Sequence, residues 1–256
     1  MIPKALSASL RNLVMPDDAV GLLQEAKRLG LRPIGVTFHV GSQATDLHAW
    51  QKAISKAQSI IQQSRAAGID ISLINLGGGF PVQYSPEDPT LAGVASVINE
   101  AIGSSSDIQY MAEPGRFLVA DSSVIVATII GVEDRHGRTW LYLDVGSFHA
   151  FMEVFEFNRF PYPVHSLSHI LEGIGPKGYK DYVLTGPSCD SYDTLSLGIT
   201  LPDDLSIGDK LLITMTGAYT VVYGSEFNGF KVPPRRFISS HDVAHGQTNK
   251  EAVYVS

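Results

Sequence analysis

The stretch "PIGVTFHVGSQATDLHAWQKAISKAQSIIQQSRAAGIDISLINLGGG", residues 33–79, decides how the first half of the chain is read. It opens on "PIGVTFHV" (33–40), rich in the β-branched and aromatic side chains that favour a strand. "DLHAWQKAISKAQSIIQQSRAAG" (46–68) then repeats Leu47, Trp50, Ile54, Ala57 and Ile61 at helical spacing and ends on Gly68, where a helix stops. "ISLINL" (71–76) is a short apolar run with the length of a buried strand, and three glycines follow it. Glycine is costly wherever ordinary secondary structure would serve. Gly77, Gly78 and Gly79 therefore mark either a tight positive-φ turn or a backbone that a ligand approaches closely.

The same texture extends to both sides. "PDDAVGLLQEAKRL" (16–29) places Val20, Leu23 and Ala26 on one stripe before Gly30 and reads as a helix; "TLAGVASVINEAIG" (90–103) reads as another, and "IQYMA" (108–112) as a third strand. Strands alternating with helices imply right-handed βαβ units and a parallel sheet or barrel. After Ala120 the pattern changes. "SSVIVATIIGV" (122–132) and "RTWLYLDVG" (138–146), joined by the polar "EDRHG", predict a hairpin, and "DKLLITMT" (209–216) and "AYTVVYG" (218–224) predict further strands with no helices between them. The expected organisation is α/β over residues 1–120, all-β over 121–238, and a polar, aperiodic tail over 239–256.

Composition narrows the class. With 256 residues, 44% of them hydrophobic and 18% charged, the chain is an ordinary soluble globular protein of one large or two smaller domains. A formal net charge of -7 argues against nucleic acid or an anionic membrane as the main partner and is compatible with a small cationic substrate. Cys189 is the only cysteine, so neither an intramolecular disulfide nor a structural zinc site is expected, and a reducing compartment, the cytoplasm, is the expected address. No run approaches the roughly 20 apolar residues of a membrane span, and the first residues lack a signal-peptide pattern.

Three polar motifs end the three parallel strands: "HVGS" (39–42), "GGGF" (77–80) and "EPGR" (113–116). Parallel β/α folds build their sites at the carboxyl ends of strands, so these motifs are expected to converge on one face. Glycine amides and a fixed guanidinium suit a phosphate dianion. Neither a dinucleotide fingerprint nor a nucleotide P-loop is present, so the phosphate belongs to something else. His39 adds a titratable ring and Glu113 a carboxylate, each of which also has a purely local role open to it: a hydrogen bond beside the strand for His39, an ion pair with Arg116 for Glu113. "TGPSCDSYD" (185–193) is not a nucleophile elbow, because Asp190 stands where the last glycine would be. The His165/His169 and His241/His245 pairs have i, i+4 spacing but no acidic companions, and no metal is expected.

The ordered set "FHVGSQ", "NLGGGFP", "EPGRFLVA", "GPSCDSYD", "TGAYT" and "FNGF" resembles the fold-type III pyridoxal-phosphate decarboxylases that act on ornithine, lysine, arginine or diaminopimelate, and is nearest in pattern to bacterial ornithine decarboxylases. The resemblance runs from about residue 12 to about residue 238. It implies a partial (β/α)8 TIM-like barrel of the alanine racemase type followed by a carboxyl-terminal antiparallel β-barrel domain, with pyridoxal 5'-phosphate as cofactor. It also implies residue roles. His39 would stack on the pyridine ring. Ser42, the Gly77–Gly79 amides, Arg116 and Tyr219 would hold the phosphate, and Glu113 would pair with the protonated ring nitrogen. Cys189 and Asp190 would enter the site from the other subunit of a homodimer, Cys189 to help protonate the product carbon and Asp190 to bind the distal ammonium of a basic amino acid or diamine. Diaminopimelate enzymes usually carry Glu at the position of Asp190, so ornithine or lysine is preferred. The family's second acidic residue is not found, and Glu153 or Glu156 in "FMEVFEF" is the candidate replacement.

The chain departs from the family at its front. A complete barrel takes roughly 250 residues, whereas about 120 precede the β part and supply three strands. None of the nine lysines lies in the family's sequence context for the cofactor-anchoring lysine, Lys4 being the only one near the right region. Three readings follow: the carboxyl part of a split or truncated decarboxylase, with a separate amino-terminal barrel chain as a further partner; a non-catalytic homologue that binds a protein or polyamine, as antizyme inhibitors resemble decarboxylases without the activity; and an autonomous pyridoxal-phosphate enzyme with altered amino-acid chemistry.

Overall fold

The computed structural model describes residues 14–104, 107–157, 160–173 and 175–238; Lys4, the His241/His245 pair and the 239–256 tail lie outside them. The chain divides into two compact units, one ending at Val124 but taking in Thr214–Ala218, the other running over Ile125–Ile213 and resuming at Tyr219.

In the first unit, helix α1 (Pro16–Arg28) starts on proline, whose missing N–H has no partner to lose at that position. Strand β1 (Gly35–Thr37), helix α2 (Leu47–Ala66), strand β2 (Leu73–Asn75), helix α3 (Leu91–Ile102), strand β3 (Gln109–Met111) and the short helix α4 (Gly115–Val119) follow. Asp46 caps α2 by accepting from the His48 amide, and Thr90 caps α3 by accepting from the Gly93 amide. The predicted stripe is the buried one: Trp50, Ile54, Ala57 and Ile61 of α2 pack with Ile74 of β2 and with Val94 and Ile98 of α3 in a single core. Trp50 sets its ring 4.7 Å from that of Phe80, just beyond the glycine triplet. The sheet is parallel in the order β1-β2-β3, in register through Val36, Ile74 and Tyr110. Among the described residues β1 and β3 thus each have a strand on one side only.

The second unit carries β4 (Ile125–Arg135), β5 (Arg138–Leu143), helices α5 (Ser147–Ala150) and α6 (Glu153–Phe157), β6 (Val164–Ser166), α7 (Leu167–Glu172), β7 (Tyr179–Thr185), β8 (Thr194–Pro202) and β9 (Lys210–Ile213). The predicted hairpin is β4–β5. Its two turn residues, His136 and Gly137, both have positive φ (51° and 76°), the requirement of the turn that matches strand twist. The six strands lie in the order β6-β9-β4-β5-β7-β8.

Two expectations are corrected here. The sheet is mixed, not antiparallel: β5 and β7 run parallel, which a long crossover makes possible, and that crossover holds the helices α5, α6 and α7 absent from the sequence reading. "AYTVVYG" is not a strand. Tyr219 has φ +54°, Tyr223 N–H bonds Thr220 O and Gly224 N–H bonds Val221 O, so the segment coils through consecutive turns despite its β-branched composition. Among the described residues no helix is long and apolar enough to cross a membrane.

Candidate functional site

In the first unit, the loops after β1, β2 and β3 are laced together by their backbones. Glu113 N–H bonds Gly77 O at 2.9 Å, Ala44 N–H bonds Gly79 O at 2.9 Å, and Leu76 N–H bonds Met111 O at 2.8 Å. Gln43, buried and at φ 51°, adds a side-chain tie: its Nε2 donates to Val82 O at 2.6 Å while its Oε1 accepts from Val82 N–H at 3.1 Å. The convergence expected of "HVGS", "GGGF" and "EPGR" is therefore built from peptide groups, with one glutamine bracing it.

The glycines are needed where they stand. Gly77 and Gly79 have φ of 65° and 95°, and a side-chain carbon on either would fall 2.0 Å from Phe38 O or 2.2 Å from Gly41 O. Gly78 is different: a carbon there would lie 3.1 Å from His39 Nε2 and 3.1 Å from Glu113 O. A side chain at Gly78 would therefore crowd both the edge of the His39 ring and the Glu113 carbonyl. His39 is exposed, and its Nδ1 accepts the Gly41 amide at 2.9 Å, which puts the ring proton on Nε2.

Glu113 is exposed and does not stand alone. Asn75, the last residue of β2, donates Nδ2 to Glu113 Oε1 at 2.6 Å while its own Oδ1 accepts the Gly77 amide at 2.9 Å. One amide thereby fixes both the carboxylate and the first turn of the glycine loop. Sequence reading passed over Asn75 because it sits inside an apolar strand; its position directly before the glycines was the available signal. Ser42 is exposed in the turn after Gly41. Arg116 is buried on α4, with Nη1 donating to the Tyr84 hydroxyl at 2.9 Å, and the Tyr84 and Ser85 amides both bond the Asp88 carboxylate at 3.0 Å.

The remaining candidates belong to the second unit. Cys189 is exposed, with Asn228 Nδ2 3.9 Å from its sulfur. Asp190 accepts the Tyr192 amide at 2.9 Å and so caps the turn that follows it. Glu153 is buried, 2% exposed, and accepts the Tyr162 hydroxyl at 3.2 Å; Glu156 is exposed. Tyr219 stands half-exposed with its ring 5.7 Å from that of Tyr223. His165 is exposed, whereas His169 bonds Ser166 Oγ and lies 3.4 Å from an Asp204 oxygen.

Residues 13–120 match the sequence model of the pyridoxal-dependent decarboxylase family's pyridoxal binding domain. The chain is 33% identical over 220 residues to the lysine/ornithine decarboxylase of Selenomonas ruminantium, covering 85% of this chain and 54% of that protein. It is 35% identical over 231 residues to antizyme inhibitor 2 of Xenopus laevis, covering 83% of this chain and 49% of that one. The crystal structure of the lysine/ornithine decarboxylase of Vibrio vulnificus complexed with putrescine superposes with a TM-score of 0.73 at 33% identity, covering 87% of this chain and 60% of that one. The chain belongs to the fold-type III pyridoxal-phosphate-dependent family of ornithine and lysine decarboxylases. It spans about half the length of the curated relatives it matches.

Proposed function

We propose that the chain binds pyridoxal 5'-phosphate and serves as the carboxyl-terminal part of an enzyme that decarboxylates a basic amino acid, L-ornithine or L-lysine, to the corresponding diamine. On this reading the first unit is part of a (β/α)8 barrel of the alanine racemase type and the second its β-barrel domain, in a homodimer. The observation that carries it is the Asn75-clamped Glu113 carboxylate on the same strand-end face as the Gly77–Gly79 loop and the His39 ring. These residues fit the cofactor by their chemistry. The loop amides and Ser42, with Arg116 of the same unit, would suit its phosphate, His39 would offer its ring to the planar pyridine, and Glu113 would hold a proton on the ring nitrogen. Bound there, the cofactor supplies the electron sink for the bond broken at the amino-acid α carbon.

The chain's own residues do the rest. Glu113 would keep the ring cationic, oriented by the hydrogen bond it accepts from Asn75. Cys189 carries a proton at its sulfur for the product carbon, and Asp190, together with exposed Glu156, offers negative charge to a distal ammonium.

The test is release of labelled carbon dioxide from carboxyl-labelled L-ornithine and L-lysine by the purified chain with pyridoxal phosphate. The account expects cofactor-dependent release, lost in Glu113→Ala, when an amino-terminal barrel half is added to complete the enzyme. A second reading, a non-catalytic homologue that binds a partner or polyamine, is favoured by one observation: the described lysines of the first unit, Lys27, Lys52 and Lys56, sit on helices and not at strand ends. Cofactor and diamine binding with no release from either substrate, even with an amino-terminal barrel half added, would establish that reading.

A further inference from the structure

We infer that Asp193 is the positioning residue that holds the loop bearing Cys189 and Asp190, an inference that rests on those two residues belonging to the site. Asp193 is fully buried, 0% exposed, and its carboxylate reaches two segments distant in sequence. Oδ1 accepts the Ser147 amide of α5 at 2.7 Å, and Oδ2 accepts the Ser188 amide, one residue before Cys189, at 2.9 Å. Its backbone completes the clamp: Asp193 O accepts the Gly186 amide at 2.8 Å and the Thr185 hydroxyl at 3.2 Å, while Asp193 N–H bonds Asp190 O at 3.0 Å.

The surroundings are cut to this carboxylate. A side-chain carbon at Gly146 would fall 2.1 Å from Asp193 Oδ1, and one at Gly186 would fall 2.4 Å from it. Both neighbours must be glycine for the carboxylate to sit where it does. The Ser188 hydroxyl, by contrast, is buried with no hydrogen-bond partner among the described residues, so the loop is held through its peptide groups and not through that side chain. The same α5 segment also grips the stretch that carries Asn228, the residue facing the Cys189 sulfur: Ser225 N–H bonds Phe148 O at 2.8 Å, and the Phe148 and Phe227 rings lie 4.2 Å apart. Asp193 thereby ties the cysteine loop to the element that orients the cysteine's neighbour. Ionised, it accepts at both oxygens; an asparagine in its place turns a donor toward one of the two amides.

The experiment compares Asp193→Asn with the parent chain. Putrescine and cadaverine affinity is expected to fall roughly tenfold, the equivalent of one charge-assisted hydrogen bond, while pyridoxal-phosphate affinity stays unchanged. A general loss of structure would lower both together, and that result, or unchanged diamine affinity, would overturn the assignment. Amide hydrogen exchange in the parent chain gives a readout independent of the variant and of any ligand. The Ser147 and Ser188 amides are expected to exchange at least ~10-fold more slowly than that of Cys189; free exchange at Ser188 would overturn the inference. If the parent chain binds neither diamine, the functional assignment of Asp190 fails, while the exchange pattern still decides whether Asp193 holds the loop.

Discussion

Asn75 makes two bonds in opposite senses, donating to Glu113 and accepting from Gly77, and only a carboxamide does both from one position. Asn75→Asp keeps the acceptor but sets a second carboxylate against Glu113, so cofactor affinity is expected to fall about tenfold or more in an equilibrium titration; an unchanged dissociation constant would show that the clamp does not matter. The glycines separate packing from function. Gly77→Ala forces a side chain onto a positive-φ residue and against Phe38 O, and is expected to cost about 2 kcal/mol or more in denaturant unfolding. Gly78→Ala has no positive φ to strain and meets the His39 ring edge and the Glu113 carbonyl at 3.1 Å each, a milder crowding that is expected to cost less in unfolding than Gly77→Ala while cofactor affinity drops. Equal effects of the two substitutions on both measurements would contradict this division. At this scale, residue types that advertise a backbone need or a charge, such as the triplet and Glu113, were legible. Asn75, Gln43 and Asp193 were not, because their roles are set by which peptide group lies opposite them in space.

Elements were legible in proportion to how long their pattern runs. The buried stripe of α2 spans four to five turns and the β4–β5 hairpin has its turn signal between two strands, and both form as expected. Helices α5, α6 and α7 have four to six residues each, too few to repeat a 3.6-residue period, and "AYTVVYG" has strand composition but turns instead. The hairpin turn makes its own prediction. Asparagine tolerates positive φ before glycine better than histidine, so His136→Asn is expected to stabilise the second unit by about 0.5 kcal/mol, seen as a higher melting temperature; a lower one would contradict the turn assignment. Tyr182 of β7 predicts a pH dependence. Burial pushes its hydroxyl up to about 12 from the ordinary tyrosine value of 10.0, and it donates to Pro202 O at 2.8 Å. A raised acid favours the neutral phenol in the fold, so its stabilising contribution is complete below pH 10.0 and is lost as pH rises toward about 12. Tyr182→Phe is expected to be less stable near neutrality but to show a shallower alkaline loss in that window. Parallel pH curves for the two proteins would rule this out.

For the molecule as a whole, composition separated two textures and the structure has two units, yet the return of Thr214–Ala218 to the first unit is invisible in any local pattern. The five residues bond back to its end, Gly217 N–H to Ala120 O and Thr216 N–H to Ser123 O, a contact between segments far apart in sequence. The first unit leaves β1 and β3 with one open side each among the described residues, and exposes Leu22, Leu29, Leu31 and Ile34. Open strand edges and contiguous apolar surface favour association. Sedimentation velocity is accordingly expected to show dimers or larger species, and a single monomeric boundary in dilute solution would contradict it. The central claim is that the three strand-end loops of the first unit form a pyridoxal-phosphate site. It is tested most directly by titrating the purified chain with the cofactor and following protein fluorescence, with Gly78→Ala alongside. The account predicts saturable binding at one site per chain, weakened in the variant without loss of the fold. Absence of saturation, or equal affinity in the two proteins, would contradict it.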